Sequence, residues 1–137
     1  MKDCIFCKIV EGKLPCHKVY EDDSTLGFLD ISPSNLGHTL VVTKKHYTNI
    51  FDVDDNELRK LIIAVKKVSS AMKNGLGAEG VNLLVNNEEI AGQLVFHIHF
   101  HIVPRFKDDN VRVIASKKKS YSDNEKEIVG KIRTFLK

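Results

Sequence analysis

The stretch Phe96-His97-Ile98-His99-Phe100-His101-Ile102-Val103-Pro104-Arg105 constrains this chain more than any other. Three histidines alternate with large apolar residues. Successive side chains of a strand point to opposite faces, so a period of two predicts a strand with the imidazoles on one face and Ile98, Phe100 and Ile102 on the other. Neighbouring imidazoles then stand roughly 6.6 Å apart along the backbone, close enough for one phosphate-sized group to meet two of them. Burying three imidazoles side by side without function is costly. The pattern points instead to transition-metal ligation, or to nucleophilic and acid–base work on a phosphorus or acyl centre.

The rest of the sequence excludes several classes. At 137 residues the chain can bury a real core, and we expect one domain over residues 1–137. A net charge of +3, from 21 basic and 18 acidic residues, is too small to imply nucleic-acid binding. The run Lys117-Lys118-Lys119 reads as a solvated loop. No apolar run approaches the roughly 18 residues of a membrane span, and Met1-Lys2-Asp3-Cys4 opens no secretory signal. Three cysteines, two of them in a C-x-x-C pair, fit a reducing compartment better than a disulfide framework, so a cytoplasmic location is expected.

Taken in order, Lys18–Glu21 and Thr25–Asp30 read as strands of a hairpin around Asp22-Asp23-Ser24. Ser32–Gly37 is a loop, and His38–Lys44 a third strand rich in β-branched residues. Asp54 with Glu57 predicts a helix start, and Leu58, Leu61, Ile62, Val65, Val68 and Met72 form one apolar stripe over residues 54–74. Gly75 and Gly77 should end it. Val81–Asn86 is a fourth strand, and the histidine stretch a fifth. Ser122 with Glu125 predicts a last helix that buries Ile128, Ile132, Phe135 and Leu136. The expected fold is α+β: an antiparallel sheet of about five strands, with a long helix and a C-terminal helix against one face.

The loop before the histidines suits an anion. Asn86, Gly92 and Gln93 supply amide donors and a residue small enough for close backbone approach. Asp30, at a strand end, could accept from a pair of sugar hydroxyls or simply serve the turn.

At these residues the chain resembles the histidine triad (HIT) family, named for H-φ-H-φ-H-φ-φ with φ apolar. The pattern stands here as His97-Ile98-His99-Phe100-His101-Ile102-Val103. Phe28–Pro33, Gly37–Val41, Lys44-Lys45-His46 and Asn86 followed by Gly92-Gln93 match as well, in the manner of the bacterial Hint-like branch. The resemblance implies cleavage at the α-phosphorus of nucleoside 5′-monophosphate derivatives, purine nucleoside phosphoramidates above all. The middle histidine, His99, would attack phosphorus and carry a nucleotidyl-histidine intermediate. His101 would meet a phosphate oxygen or protonate the leaving group, and His38 would order the network. Ile5, Phe6, Ile9, Phe28 and Ile31 would sandwich the base, and Asp30 would hold the ribose. Leu94 departs from the pattern, because relatives commonly carry a polar residue there; its backbone N–H remains, but a hydroxyl contact is missing. A sheet-joined homodimer is also implied. Alternatives are a dinucleoside polyphosphate hydrolase, a nucleotide-binding interaction module with little turnover, and a hydrolase whose triad itself holds a metal.

Cys4 and Cys7 stand at zinc-knuckle spacing and need two further ligands. Family members with structural zinc match His46, and His97 would complete a closed Cys2His2 set. A bare dithiol and a redox pair are the other readings of C-x-x-C. A structural zinc would remove His97 from the chemistry and leave His99, His101 and His38.

Overall fold

The computed structural model describes residues 3–113 and 116–136. In chain order it contains α1 (Ile5–Val10), β1 (Lys18–Glu21), β2 (Thr25–Leu29), β3 (Thr39–Thr43), α2 (Asp55–Leu76), β4 (Gly80–Leu84), a 3-10 turn (Glu89–Ala91), β5 (His99–Arg105) and α3 (Glu125–Thr134). The strands form one sheet in the order β1-β2-β3-β5-β4, with every neighbouring pair antiparallel. The α+β expectation is met.

The early hairpin is held by Asp22, whose carboxylate accepts from the backbone N–H groups of Ser24 and Thr25 at 2.8 Å each. Asp54 caps α2 by accepting from the N–H groups of Asn56 and Glu57. The helix runs through Gly75, where the sequence led us to expect its end. Gly77 alone stops it, at φ 70°, a left-handed backbone that glycine adopts without a Cβ clash. Among the described residues no helix is long and apolar enough to cross a membrane.

Strand alternation divides the sheet into two chemically different faces. Val41, Ile98 and Ile102 pack against Leu61, Ala64, Val65, Val68 and Met72 of α2 to form the larger core. Leu26, Phe28, Leu40 and Val42 point the other way and pack with Phe6 of α1. Cross-strand register sets His99 beside Val42 and His101 beside Leu40, so both imidazoles belong to this second face.

Three expectations are corrected. Regular pairing of the histidine strand begins only at His99; before it, Ile98 N–H donates to Tyr47 O at 2.8 Å. Asn86 lies beyond the end of β4. The C-terminal helix forms, but it starts at Glu125 after Asn124 and buries none of its stripe: Ile132, Phe135 and Leu136 are exposed and Ile128 is half-buried. Amphipathic spacing specifies an apolar face, not what covers it.

Candidate active site and metal centre

The second sheet face opens into a cavity of about 700 Å³, within the usual range for a small-molecule site. Its walls include Ile5, Phe6 and Ile9 of α1, Phe28 of β2, then Asp30, Ile31, His38, Asn86, Gly92, Leu94, His99 and His101. Phe6 stands edge-on to Phe28 with ring centroids 5.5 Å apart, and edge-on to His99 at 5.0 Å. These two phenylalanines are therefore both core and cavity wall. Ile5 and Ile31 are exposed at the mouth, as is Leu94.

Hydrogen bonds, two of them local and one between residues far apart in the chain, decide where each imidazole carries its proton. His99 Nδ1–H donates to the carbonyl of His97 at 2.7 Å. A neutral imidazole has one N–H, so His99 Nε2 keeps a lone pair for the cavity. Ser34 N–H donates to His38 Nδ1 at 2.9 Å, which places the His38 proton on Nε2. His38 Nε2–H then donates to His101 Nδ1 at 3.0 Å. The His101 proton must therefore sit on Nε2, available to a ligand. The face thus presents a lone pair on His99 and an N–H donor on His101, with ring centroids 5.0 Å apart.

Asp30 supports this arrangement. One carboxylate oxygen accepts from Ser32 N–H at 2.8 Å, and the other lies 3.6 Å from His38 Nε2. Asp30, His38 and His101 are close enough together to suggest a cation site. The Ser34 bond opposes it, because a His38 Nε2 that carries a proton has no lone pair to give.

Gln93 is corrected. Its side chain is buried and engaged inside the protein: Nε2 donates to Thr48 O at 2.7 Å and Val95 O at 3.1 Å, while Oε1 accepts from Asn49 Nδ2 and Glu88 N. It shapes the loop rather than facing the cavity. Asn86 does line the cavity, and its amide donates to Gly92 O at 3.4 Å. Sequence reasoning missed Cys16, His17, Leu84, Val103 and Arg112, which also line the cavity. Leu84 and Val103 could have been found from register, since each takes the histidine face of its strand.

Cys4, Cys7, His46 and His97 converge beside Phe6, whose ring stands edge-on to His97 with centroids 6.1 Å apart. Cys4 caps α1, whose first turn carries Cys7. Cys4 Sγ lies 3.4 Å from His97 Nδ1, and Cys7 Sγ lies 3.3 Å from His46 Nδ1 and 3.5 Å from His97 Nδ1. Tetrahedral zinc, with bonds of about 2.3 Å to sulfur and 2.0 Å to nitrogen, requires S···N edges of about 3.5 Å. The four donors fit it. His97 Nε2–H donates to Thr43 O at 2.7 Å, which directs the Nδ1 lone pair at the thiols, the usual outer support of a metal-bound imidazole.

Burial holds His97 and His101 neutral, each pushed down to about 4, and lowers His99 and His38 as well. Unfolded imidazoles titrate near 6.5. Between these values the unfolded chain binds protons that the folded chain refuses. The stability these groups contribute is therefore complete above about pH 6.5 and is lost as pH falls toward 4. Thermal melts should show the midpoint falling across this window, with a shallower slope in His101→Gln. A midpoint independent of pH between 6.5 and 4.5 would contradict the placement of these rings.

The fold and the paired imidazoles define a class of protein, and comparison with known sequences and structures agrees. The family model described as HIT domain matches residues 11–108. An uncharacterized HIT-like protein of Methanocaldococcus jannaschii is 52% identical over 106 residues, covering 77% of this chain and 81% of that protein. An adenosine 5′-monophosphoramidase of Schizosaccharomyces pombe is 45% identical over 102 residues, 74% of each chain. A crystal structure of a HIT family member from Bacillus subtilis superposes with a TM-score of 0.91 at 38% identity, over 98% of both chains. A zinc-bound histidine triad family protein from Mycobacterium smegmatis superposes with a TM-score of 0.79 at 36% identity, over 85% of both. The chain belongs to the HIT family.

Proposed function

We propose that this protein is a nucleotide hydrolase that cleaves purine nucleoside 5′-phosphoramidates and related derivatives at the α-phosphorus through His99. The observation that carries it is the His99 tautomer: Nδ1–H is tied to the His97 carbonyl, so Nε2 enters the cavity as a neutral nucleophile beside the His101 donor. His99 Nε2 forms a bond to phosphorus as the bond to the leaving nitrogen breaks. The leaving nitrogen takes a proton from solvent and departs as a neutral amine, while His101 Nε2–H keeps its proton and donates to a phosphate oxygen. Water then attacks the nucleotidyl-histidine, its oxygen bonding to phosphorus as the bond to His99 Nε2 breaks and its proton passing to solvent. Nucleoside monophosphate is released and both imidazoles return to their starting forms. Burial supports each step, because a protonated His99 cannot attack.

The aromatic and apolar wall at α1 takes the base, and Asp30 takes the ribose hydroxyls with the oxygen not held by Ser32. The adenosine 5′-monophosphoramidase relative from Schizosaccharomyces pombe supports the substrate class. Cys4, Cys7, His46 and His97 hold a structural zinc, a reading supported by the S···N spacing and the zinc-bound relative. The thiol ligands suit the cytoplasm. The working unit is a homodimer whose sheets join across a two-fold axis.

The test is a substrate panel on purified protein, with acid-free peptide mass analysis after rapid mixing. Turnover of phosphoramidates with a nucleotidyl adduct on the peptide containing His99 is expected. Nucleotide binding without turnover of any phosphoramidate or polyphosphate would replace the enzyme with a binding module.

A further inference from the structure

The segment between β4 and β5 reaches the cavity wall at Asn86, Gly92 and Leu94. Leu84 pairs with His101 across the two antiparallel strands, so the chain leaving β4 runs toward the level of His99. Most N–H groups of the 3-10 turn are spent inside it: Gly92 donates to Glu89 O, and Ala91 and Gln93 both donate to Glu88 O. Two donors on the wall are not. The Leu94 N–H makes no hydrogen bond among the described residues, and Asn86 Nδ2 makes only its 3.4 Å bond to Gly92 O.

The turn begins at a strained residue. Glu88 stands at φ 77° and ψ 154°, a backbone region that only glycine enters freely. Its N–H donates to Gln93 Oε1 at 2.9 Å. Glu88 is exposed, yet its Oε1 turns back to accept from Asn49 Nδ2 at 3.2 Å. Asn49 is buried, and the same Nδ2 donates to Gln93 Oε1 at 3.1 Å. Asn49 is itself fixed: its Oδ1 accepts from Phe51 N–H at 3.0 Å, and its backbone N–H donates to Asp52 Oδ1 at 2.9 Å. A second tie runs from Ile50 N–H to Asn87 Oδ1 at 2.8 Å. The turn 49–52 is therefore a frame from which the loop 86–94 hangs.

We propose that Asn49 and Glu88 are positioning residues, whose mutual hydrogen bond holds the loop 86–94 in the strained form that aims its donors at the phosphate of the bound nucleotide. The proposal rests on the nucleotide reading above. Neither residue lines the cavity, so each acts through the loop. Without the bond, the backbone at Glu88 relaxes out of its glycine-like conformation, and the 3-10 turn rotates with it. Leu94 N–H and the Asn86 amide then lose their aim. The base wall at α1 is untouched, because no part of this network reaches it.

Isothermal titration of the full chain with adenosine 5′-monophosphate and with adenosine separates the two ends of the site. Glu88→Ala keeps the strain and loses the bond; it should weaken the monophosphate about 10-fold and leave adenosine within about twofold. Glu88→Gln keeps the acceptor and should bind both as the unaltered protein does. Glu88→Gly loses the bond but also the strained Cβ, so its monophosphate affinity should fall between those two. Asn49→Ala should reproduce Glu88→Ala. Because Glu88 is exposed, its variants carry the test if Asn49→Ala does not fold. Unchanged monophosphate affinity in Glu88→Ala or in a folded Asn49→Ala, or equal weakening of both ligands, overturns the positioning role while leaving the nucleotide site standing. Failure of the unaltered protein to bind the monophosphate overturns the nucleotide reading, and this proposal with it.

Discussion

Replacing His99 with alanine is expected to lower turnover of a nucleoside phosphoramidate by about 10⁵-fold, the order seen when a covalent nucleophile is removed. Nucleotide affinity should change little by comparison, because the base wall, Asp30 and His101 remain in place. The imidazole packs edge-on to Phe6, so the variant opens a gap between apolar groups rather than breaking a buried ion pair. Its fold should survive, and a circular dichroism melt serves as the control. Full activity in His99→Ala, or a nucleotidyl adduct on another residue, would show that the nucleophile has been misassigned.

The second large effect lies at the metal centre. Cys4→Ala/Cys7→Ala should abolish zinc binding, measured as metal per chain by plasma emission. It should cost about 3 kcal/mol, or about 10 °C in the melting midpoint. With alanine at both positions, the Nδ1 atoms of His46 and the buried His97 face apolar side chains in place of thiols or metal. The effect should reach the chemistry through one residue. His97 offers Nδ1 to the thiols and donates Nε2–H to Thr43, while its own carbonyl fixes the His99 proton. Activity should therefore fall through kcat more than through KM. Zinc fully retained in the double variant, or no zinc in the unaltered protein, would refute the centre.

Much of this could be read from residues whose information is local. The alternation of His97, His99 and His101 with Ile98, Phe100 and Ile102 encodes two faces by strand geometry alone, and the core cluster with α2 takes the apolar set as expected. The stripe of α2 and its Asp54 cap are equally local. Cys4 and Cys7 stand at a metal-ligand spacing, although His46 and His97 reach them only through sheet closure. The inward turn of Gln93 was not legible, because a loop's composition does not say which side chains turn inward. Here Thr48, Asn49, Glu88 and Val95 capture both ends of its amide. Arg112 was passed over because its placement depends on the bidentate Arg105–Asp109 ion pair, which no periodicity records.

By itself, then, the sequence determined which residues share a face and which donors exist: three imidazoles on one strand, two thiols three residues apart, a long amphipathic helix. Side-chain period and ligand chemistry are properties of neighbouring residues. Only the tertiary structure decided what each imidazole does. A histidine's role follows from which nitrogen holds the proton, and that is set by the partner of the other nitrogen. Those partners are Ser34 N–H for His38, Thr43 O for His97 and His97 O for His99. Thr43 stands far along the chain from His97 and meets it only when the sheet closes, whereas Ser34 and the His97 carbonyl are near neighbours whose aim is fixed by the loop and strand conformation that the sheet imposes.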